Sequence, residues 1–129
     1  MTRPGSELFV NGTLMRGLAL EANLSGAKFL AELLTEPRYR LHSIDDVHPG
    51  MYEVEQGGVS VLGELYLVPP DVLARVEAGE PPHLYRGTVY LQGHGPTDGI
   101  LYPRELAQGV HPDISEYGGW RAYVERSDE

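Results

Sequence analysis

The sequence predicts an α+β fold built on a strongly curved sheet or small β-barrel with a few short flanking helices. Three observations predict it. Sixteen glycines and ten prolines are scattered through 129 residues as turn punctuation, with no low-complexity tract. Val59 to Val68 is rich in β-branched and aromatic residues, as a strand is. Pro69-Pro70-Asp71 then opens a clear helix, with proline and an acid suited to a first turn.

The remaining elements follow in chain order. Leu8-Phe9-Val10 is an apolar run ending at Asn11-Gly12, a strong turn signal, and reads as a buried strand entering a loop. Leu14 to Leu24 is apolar at mixed spacing and has room for a short helix. Ala27 to Thr35 fits a helix face and a strand face equally well, and ends before Pro37. Tyr39 to Ile44 alternates as a strand does, and Pro49-Gly50 marks a turn before a strand at Met51 to Val54. The helix opened by Pro70 runs through Leu73, Val76 and Glu77 and stops at Gly79. Tyr85 to Leu91 and Gly99 to Tyr102 form a hairpin across a glycine-rich connection. Pro103 begins a turn or short helix, and a last short element carries Trp120 and Tyr123. About six strands and two or three short helices result, a density of short strands and turns that favours a curved sheet or small barrel.

Composition narrows the function classes. The chain is 41% hydrophobic and 22% charged, ordinary for a globular protein, and its length suits a single domain spanning 1–129. Its net charge of −9 disfavours nucleic-acid backbones and anionic membranes. With no cysteine, disulfides, thiol catalysis and Cys-ligated metals are excluded. No stretch approaches the roughly 20 apolar residues that cross a bilayer, so a cytoplasmic location is the default expectation.

Several residues are suited to chemistry. A strand ending in Asn11-Gly12-Thr13-Leu14 exposes successive backbone N–H groups that can hold a carboxylate or an oxyanion; the same four residues also fit a plain β-turn. Glu77 lies beside Leu73 and Val76 on the helix, where burial would raise its pKa from about 4.3 and make it a general acid or base near neutrality; a solvated helix-end glutamate is the other reading. Glu80, just past Gly79, competes for the same role. The five histidines show no helical metal-ligand spacing, so no metal is expected; His48 and His83 flank the candidate loops. Tyr85 and Arg86 line a pocket or pair across the sheet. Gly118 to Tyr123 reads as packing, with Arg121 suited to an anion or to a salt bridge with one of the acids.

Taken in order, these pieces resemble the γ-glutamylcyclotransferase-like family. Phe9 to Gly17 is similar to that family's strand and Tyr-Gly-Thr-Leu-type loop, with Asn11 where tyrosine is usual. Pro49-Gly50-Met51 is similar to its proline-glycine turn, and Val61 to Tyr66 to its Gly-Glu-Leu-Tyr strand. Leu73 to Gly79 resembles its helix ending in the catalytic glutamate, with Ala78 where glycine is usual, followed by Tyr85-Arg86. A narrower likeness, through Tyr39-Arg40-Leu41, Asp113-Ile114-Ser115 and Gly118 to Tyr123, is to the C-terminal domain of allophanate hydrolases.

The resemblance implies a small mixed β-barrel with flanking short helices, and it implies that Ala27 to Thr35 is a strand. It also implies a catalytic Glu77, substrate contacts at Asn11, Gly12, Thr13, Leu14, Met51 and Tyr85, no metal or organic cofactor, and a small anionic substrate. The reaction it implies is release of an amine from a γ-glutamyl amide with closure of 5-oxoproline. The narrower likeness implies instead decarboxylation or binding of an N-carboxycarbamate beside a separate amidase. A histidine is implicated there in the first loop, where this chain has Thr13. A binding module without chemistry, and a homodimer or a complex with the amidase, complete the expectations.

Overall fold

The computed structural model describes residues 5–126, so both ends of the expected 1–129 unit lie outside the described residues. Seven strands form: β1 (Ser6–Val10), β2 (Lys28–Leu34), β3 (Tyr39–Ile44), β4 (His48–Glu53), β5 (Leu62–Val68), β6 (Tyr85–Leu91) and β7 (Gly95–Leu101). Three short helices accompany them: α1 (Pro70–Ala78), α2 (Arg104–Ala107) and α3 (Trp120–Val124). Single 3-10 turns lie at Glu21–Leu24 and Ser115–Tyr117. No helix among the described residues is long and apolar enough to cross a membrane.

The fold is α+β, as the sequence predicts, with β2-β5-β1-β7-β6 in one sheet and β3-β4 in a second. β1 lies antiparallel to β5 and parallel to β7, and β5 is flanked on its other side by β2. The expected barrel does not close. The β2 and β6 edges of the large sheet meet at one bridge, Thr35 to Leu91, flanked by Glu36 N–H to Tyr90 O at 2.8 Å and Gln92 N–H to Leu34 O at 2.9 Å. Thr35 N–H faces the other way and donates to Val61 O.

Four segments differ from expectation. Leu14 to Leu24 holds only the Glu21–Leu24 turn. Val59 makes an isolated bridge to Tyr39, and the long strand begins at Leu62. Pro49-Gly50 lies inside β4, where proline is tolerated because β3 is the strand's one neighbour. β7 begins at Gly95; Pro96 lies beyond the stretch that pairs with β1, so its missing N–H breaks no second ladder.

The core lies between the large sheet and the segments laid over it. Leu8, Phe9 and Val10 of β1 are buried with Leu65 and Val68 of β5, and α1 adds Val72 and Val76 four residues apart. A smaller cluster of Ile44, Tyr52, Tyr102 and Ala107 joins β3 and β4 to α2.

Close packing of β1 on β5 depends on Gly63. A Cβ there would stand 2.4 Å from Phe9 Cζ and 2.5 Å from the Val10 carbonyl oxygen. The backbone oxygen cannot rotate away as a side chain could. Gly63→Ala is therefore expected to cost about 2–3 kcal/mol in urea unfolding; unchanged stability would contradict this packing.

Candidate functional site

Where β1 ends, Val10 to Leu14 passes over Pro49 of β4 and Ile100 of β7. Together with His48, Leu84 and Glu80 these residues line a small, partly open cavity of about 20 Å³. Gly12 makes the crossing possible, since a Cβ there would lie 2.7 Å from the Pro49 ring. The loop then winds back on itself, with Met15 N–H donating to Gly12 O and Leu20 N–H to Thr13 O. Among the described residues no protein acceptor takes the N–H groups of Gly12, Thr13 or Leu14. A run of free N–H groups at a cavity wall suits a carboxylate or an oxyanion.

Glu80 faces this loop. It sits at the next step of the Val72–Val76 stripe, four residues on from Val76, so the chain leaving α1 carries it inward. Its Oε1 is the one buried side-chain nitrogen or oxygen without a partner among the described residues. Burial, reinforced by the nearby Glu77 carboxylate, pushes its pKa up to about 7. Near neutral pH it therefore exchanges between a neutral acid that donates a hydrogen bond and a carboxylate that accepts one.

Glu77 lies apart. Its side chain is 45% exposed and pairs with Arg86 at 3.3 Å. It shares a neighbouring cleft with Tyr85 and Arg86, separated from the cavity by Glu80, Leu84 and Ile100, which line both. Of the residues singled out in the sequence, Asn11, Gly12, Thr13 and Leu14 thus gather around Glu80, while Glu77 and Tyr85 stand outside. Met51 is buried behind the loop, where its Sδ accepts a hydrogen bond from Asn11 Nδ2 at 3.2 Å. The signal for Glu80 was present in the i, i+4, i+8 spacing of Val72, Val76 and Glu80, which continues past the glycine that ends the helix.

A second carboxylate holds the loop in place. Glu64 on β5 is fully buried. Its Oε1 accepts from the Arg16 backbone N–H at 3.0 Å and the Tyr66 hydroxyl at 2.9 Å. Its Oε2 accepts from Arg16 Nε at 3.1 Å and Arg121 at 3.3 Å. Burial pushes the Glu64 pKa up, but the bonds from Arg16 and Tyr66 outweigh it and hold the carboxyl below its ordinary value. Arg121 also donates to the Arg16 carbonyl at 2.7 Å, so it serves the salt bridge that was one of its two readings. His42 is buried and occupied, with Nδ1 on His111 O at 3.0 Å and Nε2 on the Tyr52 hydroxyl at 2.9 Å.

Residues 6–125 match the family model described as the allophanate hydrolase C-terminal domain. No curated protein matches the chain. A crystal structure of a uropathogenic E. coli-specific protein is 39% identical, with a TM-score of 0.87 over 95% of this chain and 97% of that one. Kluyveromyces lactis allophanate hydrolase is 29% identical, with a TM-score of 0.85 over 94% of this chain but 21% of that one. The chain thus spans about a fifth of that enzyme's length. An AIG2-like protein of Mus musculus, 19% identical, aligns over 78% of this chain and 77% of that one with a TM-score of 0.59, a likeness of fold alone.

Two outcomes follow from the two carboxylates. Glu64→Gln is expected to cost about 3 kcal/mol near neutral pH, because Arg16 and Arg121 lose their buried counter-charge. Since the folded pKa is depressed, this contribution is present above the ordinary value of 4.5 and disappears as pH falls through the lower folded value. The difference between wild type and Glu64→Gln should shrink in acid unfolding titrations, and a constant difference would refute the assignment. Glu80 carries the opposite sign. Its raised pKa means that wild type loses stability as pH rises from 4.5 to about 7, and Glu80→Gln should remove that slope. Carbon-13 NMR of the Glu80 carboxyl should titrate near 7; a midpoint near 4.5 would show that it is solvated.

Proposed function

We propose that this chain, which belongs to the allophanate hydrolase C-terminal domain family, acts on a small N-carboxylated amide or urea derivative, with Glu80 as its proton donor. The single observation that carries the reading is the unpartnered, buried Glu80 Oε1 beside the free N–H groups of Gly12, Thr13 and Leu14. An anionic ligand suits both features. Its carboxylate is held by the N–H groups, and it favours the neutral form of Glu80, since an ionised Glu80 would repel it.

An N-carboxycarbamate dianion would be converted to carbamate and carbon dioxide. The Glu80 carboxylic acid transfers its proton to the central nitrogen. The bond from that nitrogen to one carboxylate carbon breaks, its electron pair stays on nitrogen, and carbon dioxide leaves. Carbamate remains, and Glu80 recovers a proton from water. The free N–H groups stabilise the carboxylate that stays behind. Thr13 occupies the first-loop position where a histidine is implicated in the resembling domains. The proton must then come from elsewhere in the cavity, and Glu80 is suitably placed. The substrate would be delivered by a separately encoded amidase.

A second reading is favoured by the position of Glu80 directly after α1 and opposite a glycine-containing loop, in the γ-glutamylcyclotransferase-like fold. In it Glu80 takes a proton from the α-ammonium of a γ-glutamyl amide and returns it to the leaving amine as 5-oxoproline closes. Glu77 is the earlier candidate for this role, but its pairing with Arg86 outside the cavity favours Glu80.

The test is carbon dioxide release from allophanate by an isolated amidase, with and without this protein. Wild type should accelerate release. Glu80→Gln should lower the acceleration by about 10²-fold, while Glu77→Gln leaves it nearly intact. No acceleration by wild type would overturn the first reading, and Glu80-dependent formation of 5-oxoproline from γ-glutamyl amines would establish the second. Equal activity of Glu80→Gln and wild type would remove Glu80 from either.

A further inference from the structure

His48 lines the same cavity, and neither reading above uses it. His48 as a residue is 5% exposed, and its ring packs near Tyr102, with the ring centres 6.0 Å apart. Nδ1 lies 3.0 Å from the Pro49 carbonyl oxygen. A carbonyl can only accept, so Nδ1 is the donor to it, and in the uncharged form of the ring that leaves a lone pair at Nε2. Among the described residues nothing donates to that Nε2. Nor is it tied to Glu80, whose buried Oε1 has no partner of its own.

The cavity therefore offers one wall of donors and a fixed acceptor. The Gly12, Thr13 and Leu14 N–H groups suit an anionic oxygen, whereas the Nε2 lone pair requires a hydrogen-bond donor. Nε2 keeps contact with solvent, and a plain dicarboxylate or keto acid that covers it would displace that water without replacing its hydrogen bond. We infer that His48 is a specificity-determining residue: its Nε2 accepts a hydrogen bond from an N–H of the ligand, so the cavity selects small carboxylates that carry an amide, ureido or imide N–H over isosteres that carry carbon there. The inference rests on the cavity being the anion site described above, and it names what that site must find on the substrate besides the carboxylate. Rejection works by desolvation. A site built around a hydrogen bond discriminates strongly against the analogue that cannot make it.

Oxamate against pyruvate, and malonamate against acetoacetate, are suitable probes. Each pair shares a carboxylate and a carbonyl and differs by an NH2 in place of CH3. Dissociation constants measured by calorimetry on wild type should favour the amide acid in each pair by roughly tenfold. His48→Phe should erase that preference, and His48→Gln, which keeps a terminal amide oxygen near the Nε2 position, should restore part of it. Equal affinity of wild type for both members of each pair overturns the role of His48 while leaving the cavity as an anion site. Preference that persists undiminished in His48→Phe overturns it as well. Failure of all four probes to bind wild type overturns the anion site itself and this inference with it. The wild-type comparison needs no substituted protein, so it decides the matter even where His48→Phe does not fold.

Discussion

The Glu64 carboxylate sits fully buried on β5, beside the last residue of β1, and the loop above it takes its shape from that placement. An ionised carboxylate removed from water must have its oxygens occupied, or the cost exceeds what one contact can offset. Here four donors converge on it from three parts of the chain: the backbone and guanidinium of Arg16, the Tyr66 hydroxyl and the Arg121 guanidinium. Arg16 closes the loop that follows β1, and Arg121 belongs to α3 at the other end of the sequence. Satisfying one buried charge thereby ties the first loop and the last helix to β5. The guanidinium of Arg16 also lies over the Phe29 ring at 4.0 Å, which brings β2 into the same arrangement.

With the loop held at Arg16, its opposite end is free to present backbone N–H groups to the cavity. Gly12 passes closely over the Pro49 ring because it has no Cβ, and Asn11 rests on the Met51 sulfur. The two glutamates play contrasting parts. Glu64 is surrounded by donors and held ionised, so it stabilises and does not react. Glu80 is buried without a partner, so its proton is exchangeable near neutral pH. Two residues of one type, in one small protein, differ in role through hydrogen bonds and burial alone.

Much of the architecture was legible in the sequence because local chemistry decides it. Pro70 and Asp71 open α1, Gly79 caps it through its N–H to the Arg75 and Val76 carbonyls, and both facts depend on neighbours in the chain. Ala27 to Thr35 was different: its apolar residues satisfied both periods, and the strand form prevails because β5 offers a ladder along Lys28 to Leu34. Pro49-Gly50 read as a turn, since proline and glycine punctuate loops in general. An edge strand with one neighbour accepts both.

The sequence by itself determined the α+β class, the family and the anion-suited composition of the Asn11–Leu14 loop, because turn chemistry, apolar periodicity and motif order are properties of consecutive residues. Only the tertiary structure decided which glutamate reaches that loop. Glu77 and Glu80 are three residues apart and both were candidates. The helix rotation set by burying Val72 and Val76 sends Glu80 to the cavity wall and leaves Glu77 outside with Arg86. That choice depends on which face of α1 meets the core and on how far residues such as Thr13 and Pro49 approach it. These are relations between segments distant in sequence, and burial, which sets the pKa of Glu80, exists only once they have packed.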